Sequence, residues 1–176
     1  MDTETILKKY ELHIREWIAA IENYNVTEFE LQPANDAWSI GQVYDHLANV
    51  TDKCVTNALL CADNKGETGH SGFGSAIFSL MGTFPPIKMR IKKIPPGLEN
   101  IYSPRQINKD EARKKLEDAL QKMKNSLLLV KSADKNQRVK HWAGGWFNSQ
   151  QWYHSSEMHL KHHFRQKKRI DNYLKK

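Results

Sequence analysis

Two histidines four residues apart, His159 and His163, lie in the middle of a run whose other members suit a protein core. Positions 152, 156, 159, 163, 166, 170 and 173 follow an unbroken 4-3-4-3-4-3 spacing. That is the seam a helix buries against its neighbours in a bundle. Trp152 and Ser156 precede the histidines on it, and Gln166, Ile170 and Tyr173 follow. Met158, Leu160 and Phe164 flank the stripe, so both imidazoles are expected inside. Burying them unpartnered costs about 1–3 kcal/mol for each unsatisfied group. Protonating both sets like charges about 6 Å apart, which is worse. A divalent cation removes both difficulties. Neutral imidazole ligates Zn, Ni, Fe or Cu, and the i, i+4 spacing lets two rings converge on one ion.

A pair supplies two ligands, so a third has to come from elsewhere. His46 sits at the edge of another helix's apolar stripe, next to Val43 and Val50 on a wheel of 100° per residue. Apart from His13, it is the one other histidine placed near a seam. Three protein ligands would leave a coordination position open, as catalytic zinc sites do and four-ligand structural sites do not. Such an ion lowers the pKa of water or of a thiol near neutral pH. Gln166, one turn beyond His163, could orient a ligand ring or a bound water. Trp38 and Trp152 read as core or as pocket wall. The helical positions of Asp45 and Glu157 point both away from the seam, so no general base is assigned. An HxxxH pair by itself also fits buried histidines bonded to backbone or carboxylate, or a pH-sensitive core. His162 falls off the seam and reads as a surface residue; His13 reads as core or as a neighbour of the ligands; His70, His141 and His154 are assigned nothing.

Four long helices must carry these residues. Ile6, Tyr10, Ile14, Trp17, Ile21 and Tyr24 recur at helical spacing and predict an amphipathic helix from Thr3 to about Tyr24. Pro33 and Asn35–Asp36 mark a loop. Ser39 and Gln42 then form a capping box for a helix that runs into the early sixties. Residues 64–108, with Pro85–Pro86 and Pro95–Pro96–Gly97, are too long and too punctuated for a turn. They read as a crossover with a short helix near Ser75–Leu80. Asn108 and Glu111 cap a third helix ending near Lys131, a polar loop follows, and the last helix begins at Asn148 or Ser149. The expected fold is all-α, a four-helix bundle with a long crossover between helices 2 and 3, in one domain over 1–176.

Composition narrows the setting. Hydrophobic residues make up 39% and charged residues 27%, which suits a soluble globular chain. No apolar run approaches the roughly 20 residues of a membrane helix, and the N-terminus lacks the pattern of a secretory signal. Cys54 and Cys61, seven residues apart on one helix, stand about 10 Å apart, beyond the ~7 Å reach of a disulfide. Reduced thiols point to a cytoplasmic location. The net charge of +7 raises nucleic acid as a partner, but the basic residues are spread out and cluster only at Lys167–Arg169 and Lys175–Lys176. A basic nucleic-acid-binding bundle therefore ranks third among the functions considered.

The string WSIGQVYDHL, followed about 110 residues later by EMHLKHHFRQKKRI, resembles the DinB/YfiT-like superfamily. Helix order, the long connection and both motif positions agree over nearly the whole chain. The resemblance implies a four-helix bundle whose metal ligands match His46, His159 and His163, with zinc or nickel as the metal. It also implies a homodimer acting on a small-molecule substrate. Some members transfer a low-molecular-weight thiol to electrophiles, and others are described as metal-dependent hydrolases. A thiol S-transferase or hydrolase ranks first, and a non-catalytic, stress-linked metal or small-molecule binder of the same fold ranks second.

Overall fold

The computed structural model describes residues 1–35, 37–68, 97–142 and 144–175. Helix α1 (Thr3–Ala20) begins where the Asp2 side chain accepts the Thr5 amide at 2.8 Å. It stops earlier than its apolar spacing predicts. A single 3₁₀ turn, Ile21–Asn23, leads to an extended Tyr24, and Asn25 with Glu28 then opens a separate short helix, α2 (Val26–Glu30). Both halves of that capping box are made, so the backbone restarts rather than continues.

Helix α3 (Ile40–Ala62) starts on the Ser39–Gln42 capping box read from the sequence. Beyond it lie a two-residue strand, β1 (Glu67–Thr68), and a one-turn helix, α4 (Glu99–Tyr102). The short helix expected near Ser75–Leu80 falls outside the described residues. Helix α5 (Lys109–Ser132) is capped by Asn108, which accepts the Glu111 amide at 2.8 Å.

The segment expected to be a polar loop is instead a hairpin, β2 (Gln137–His141) and β3 (Gly145–Asn148). β2 pairs antiparallel with both β1 and β3, with Val139 opposite Phe147. Gly145 turns the hairpin at a φ of 84°, a conformation open to glycine. The hairpin's last residue, Asn148, caps α6 (Ser149–Leu174), so strand and helix are joined without a spacer.

The long helices form a four-helix bundle. α3 packs on α5 and α6, and α1 packs on the same two from the other side. α1 and α3 meet across the centre through side chains. The Trp17 and Tyr44 rings meet edge to face at 5.3 Å, the Tyr44 hydroxyl donates to the Trp17 carbonyl at 2.6 Å, and Tyr10 bonds Thr51 at 3.0 Å. Trp17, Tyr10, Tyr44, Tyr153, Phe29 and Phe147 are the largest fully buried side chains. Each such apolar side chain contributes roughly 1.5–3 kcal/mol. On the outside, Lys124 and Lys131 of α5 pair with Glu11 and Glu4 of α1, and Lys122 with Asp52 of α3. Part of the positive charge is thus matched across the helix joints. Among the described residues no helix is long and apolar enough to cross a membrane.

Candidate metal centre

α3 and α6 bring three imidazoles to one point. Nε2 of His46 lies 2.7 Å from Nε2 of His159 and 3.1 Å from Nε2 of His163. The last two stand 3.0 Å apart. Among the described residues these are the three whose ligand atoms group closely enough to share a metal ion. His46 and His163 are buried, and His159 is partly so.

The outer nitrogens fix where the protons are. Nδ1 of His46 faces the Ile101 carbonyl at 2.7 Å, and a carbonyl only accepts. Nδ1 of His163 faces Oε1 of Gln166 at 2.7 Å. Both Nδ1 atoms therefore donate, which leaves the Nε2 atoms of His46 and His163 as bare lone pairs directed at each other. Burial also disfavours imidazolium. It lowers His46 to about 4, and it holds His159 and His163 well below the usual histidine range, with the neighbouring imidazoles adding to the effect. Charging His46 or His163 therefore does not resolve the repulsion between their two Nε2 atoms.

A divalent ion fits this donor set. Three neutral nitrogens from one side, with the far nitrogens held by a carbonyl and an amide, are a ligand arrangement of zinc and its neighbours. His46, His159 and His163 would hold such an ion with three protein ligands, which would leave a coordination position for water or a substrate.

Of the other residues singled out from the sequence, Trp38 packs on His46 with ring centroids 4.8 Å apart. Trp152 is buried two turns before His159, and its indole N–H donates to the Val139 carbonyl at 3.1 Å, tying α6 to the hairpin. The seam holds as far as Ile170, but Tyr173 is exposed. His162 is not a bystander on the surface: it is partly buried, with its ring 5.2 Å from that of His163. Asp45 and Glu157 are both buried, and both face other partners. Asp45 receives Lys115 and the Arg105 amide, while Glu157 lies 3.2 Å from Nδ1 of His13 and 3.4 Å from Nε2 of His154. Ile101 had no signal in the sequence, because nothing in a side-chain pattern says where a backbone carbonyl will land. Hollows of about 330 and 530 Å³ lie elsewhere, beside Lys131 and beside Arg15, and none of the three histidines lines them.

The family model described as the DinB superfamily matches residues 9–166. No curated protein matches the chain, and no solved structure does.

Proposed function

The chain belongs to the DinB superfamily, and from that premise we propose that it holds a divalent metal through His46, His159 and His163 and acts as a metal-dependent enzyme on a small molecule. Thiol S-transfer and hydrolysis are the two reactions such a centre serves, with zinc or nickel as the ion. The observation that carries the reading is the meeting of three Nε2 atoms within 2.7–3.1 Å, two of them with their protons committed elsewhere. Bound there, the ion would act as a Lewis acid and lower the pKa of water or of a thiol.

The chain's own residues do the rest. Ile101 and Gln166 hold the Nδ1 protons of His46 and His163, so that both rings present lone pairs. Trp38 covers one side of His46 and keeps water off it. Neither cysteine suits the part of nucleophile: both are buried, which pushes Cys54 up to about 12 and Cys61 to about 11. In a thiol transfer the sulfur would therefore come from a low-molecular-weight thiol rather than from this chain.

The test is metal content by plasma mass spectrometry on untagged protein, beside the triple variant His46→Ala/His159→Ala/His163→Ala. Near-stoichiometric zinc, nickel or iron in the wild type and none in the variant is the expected result. Assays of thiol transfer and hydrolysis on the loaded protein then separate an enzyme from a binder that does no chemistry. Wild type that is metal-free and refuses added zinc and nickel would overturn the reading.

A further inference from the structure

The ligands are supported unequally. His159 and His163 share α6, and the residue that orients His163, Gln166, is on the same helix three positions on. His46 depends on Ile101, which belongs to the chain returning from the crossover. That segment has little of its own to hold it. α4 spans four residues, lacks a side-chain cap and buries none of its side chains. A helix of one turn does not persist in water by its own hydrogen bonds. Whatever fixes the Ile101 carbonyl must come from outside.

A small polar network supplies it, one residue before Ile101 and four after. The Asn49 amide donates to the Asn100 carbonyl at 3.0 Å and to the Asp45 carboxylate at 3.1 Å. The other end of that carboxylate's work is the Arg105 backbone N–H, which it accepts at 2.9 Å. Lys115 reaches from α5 to Oδ1 of Asp45 and to Oδ1 of Asn49, the latter at 3.3 Å. The ammonium fixes the Asn49 amide with its oxygen toward α5 and its NH₂ toward the crossover. It also offsets the charge of a carboxylate that is 1% exposed. Such a buried carboxylate is stable only when its lone pairs are filled, so it sets the position of the groups that fill them.

We propose that Asn49 and Asp45 are positioning residues for the third metal ligand: they fasten the returning crossover on both sides of Ile101, so that its carbonyl holds His46 with Nε2 bare. The proposal rests on the three-histidine metal reading, and its first measurement is made without metal so that the two can fail separately. Long-range ¹H–¹⁵N spectra of the metal-free protein report the proton position on each imidazole. The expected wild-type state is Nδ1–H for both His46 and His163. In Asn49→Ala, His46 loses that single tautomer while His163 keeps it, serving as the internal reference. Zinc affinity, read by chelator competition, falls on the order of tenfold, the lower end for loss of a group that orients a ligand. Helix content stays at the wild-type level. Asp45→Asn, which keeps an acceptor for the Arg105 amide, shifts both readouts in the same direction by less.

An Asn49→Ala protein with an unchanged His46 tautomer overturns the positioning role, as does one in which His46 and His163 change together with a loss of helix. If the wild type takes up no zinc but His46 alone responds to Asn49→Ala, the positioning role stands and the metal reading falls.

Discussion

Helix α6 contributes to two histidine clusters, one of them around a buried carboxylate, that meet their charge in opposite ways. In one, His159 and His163 meet His46 and three nitrogens face one another with no anion between them. In the other, His154 of α6 and His13 of α1 flank the buried carboxylate of Glu157 at 3.4 and 3.2 Å. Residue type is alike and α6 contributes to both, but the second cluster is only partly buried and contains its own counter-charge, and the first does not. A buried histidine is therefore no sign of a metal by itself. What distinguishes the candidate centre is that two of its three converging atoms are acceptors with no counter-charge between them, an arrangement that a cation from outside would fit.

The largest effect that would break this contrast is at the centre. His159→Ala or His163→Ala should lower zinc affinity by more than a hundredfold with little loss of helix content, while His13→Ala and His154→Ala leave metal content as it was. Metal analysis and circular dichroism on the four variants check it. Next in size, Glu157→Ala should destabilise the fold by roughly 1–3 kcal/mol in urea unfolding, because two partly buried imidazoles lose the carboxylate between them. It should leave zinc stoichiometry unchanged. A Glu157→Ala protein that can no longer take up zinc would mean the clusters are not separate.

Acid should also tell them apart. Burial lowers His46 to about 4 from an ordinary 6.5, so between those values the unfolded chain binds the proton that the folded one refuses. Stability of the metal-free protein then rises with pH across that window and is lost as pH falls from about 6.5 toward 4. At Glu157 burial pushes the other way, but the bonds to His13 and His154 outweigh it and hold the carboxyl at about 2, against an ordinary 4.5. Its contribution is present above about 4.5 and is lost as pH falls toward 2. Urea unfolding across pH should show both losses in the wild type. Glu157→Ala should lack the lower one, and saturating zinc should move the upper one to lower pH. The smallest effect is at His162. Its removal should change zinc affinity by less than threefold, because its ring neighbours the cluster without joining the converging nitrogens.

Much of this was legible in the residues. The Ser39–Gln42 box and the Asn108 and Asn148 caps announce three of the helix starts, since each is a local device written within four positions. The 4-3 spacing of α6 points its histidines inward for the same reason. The short helix α2 was equally local, with Asn25 and Glu28 three apart, but Ile21 and Tyr24 continued the apolar spacing of α1 and masked the break. The hairpin was hidden because Asp134, Asn136 and Gly144–Gly145 read as loop, whereas the strand is set by Val139 meeting Phe147 across a turn. Glu157 with its two histidines, and Ile101 with His46, lie beyond sequence reading. Each joins groups far apart in the chain through geometry that only the packed bundle defines.

The distance along the chain between those ligands has a consequence in polymer terms. His46 and His159 are 113 residues apart, so an ion held by both is a reversible cross-link closing most of the polypeptide into a loop. In the chain-entropy account, a covalent link over about 100 residues removes denatured-state freedom equivalent to about 4.7 kcal/mol. An ion released on unfolding acts instead by mass action, so the melting temperature should track free zinc, gaining about 2.7 kcal/mol of stability at a hundred times the dissociation constant. The α6 pair alone, His159 and His163, spans four residues and closes no such loop. The same ion held by two ligands rather than three would be bound more weakly, so at a given zinc concentration it would raise the melting temperature less.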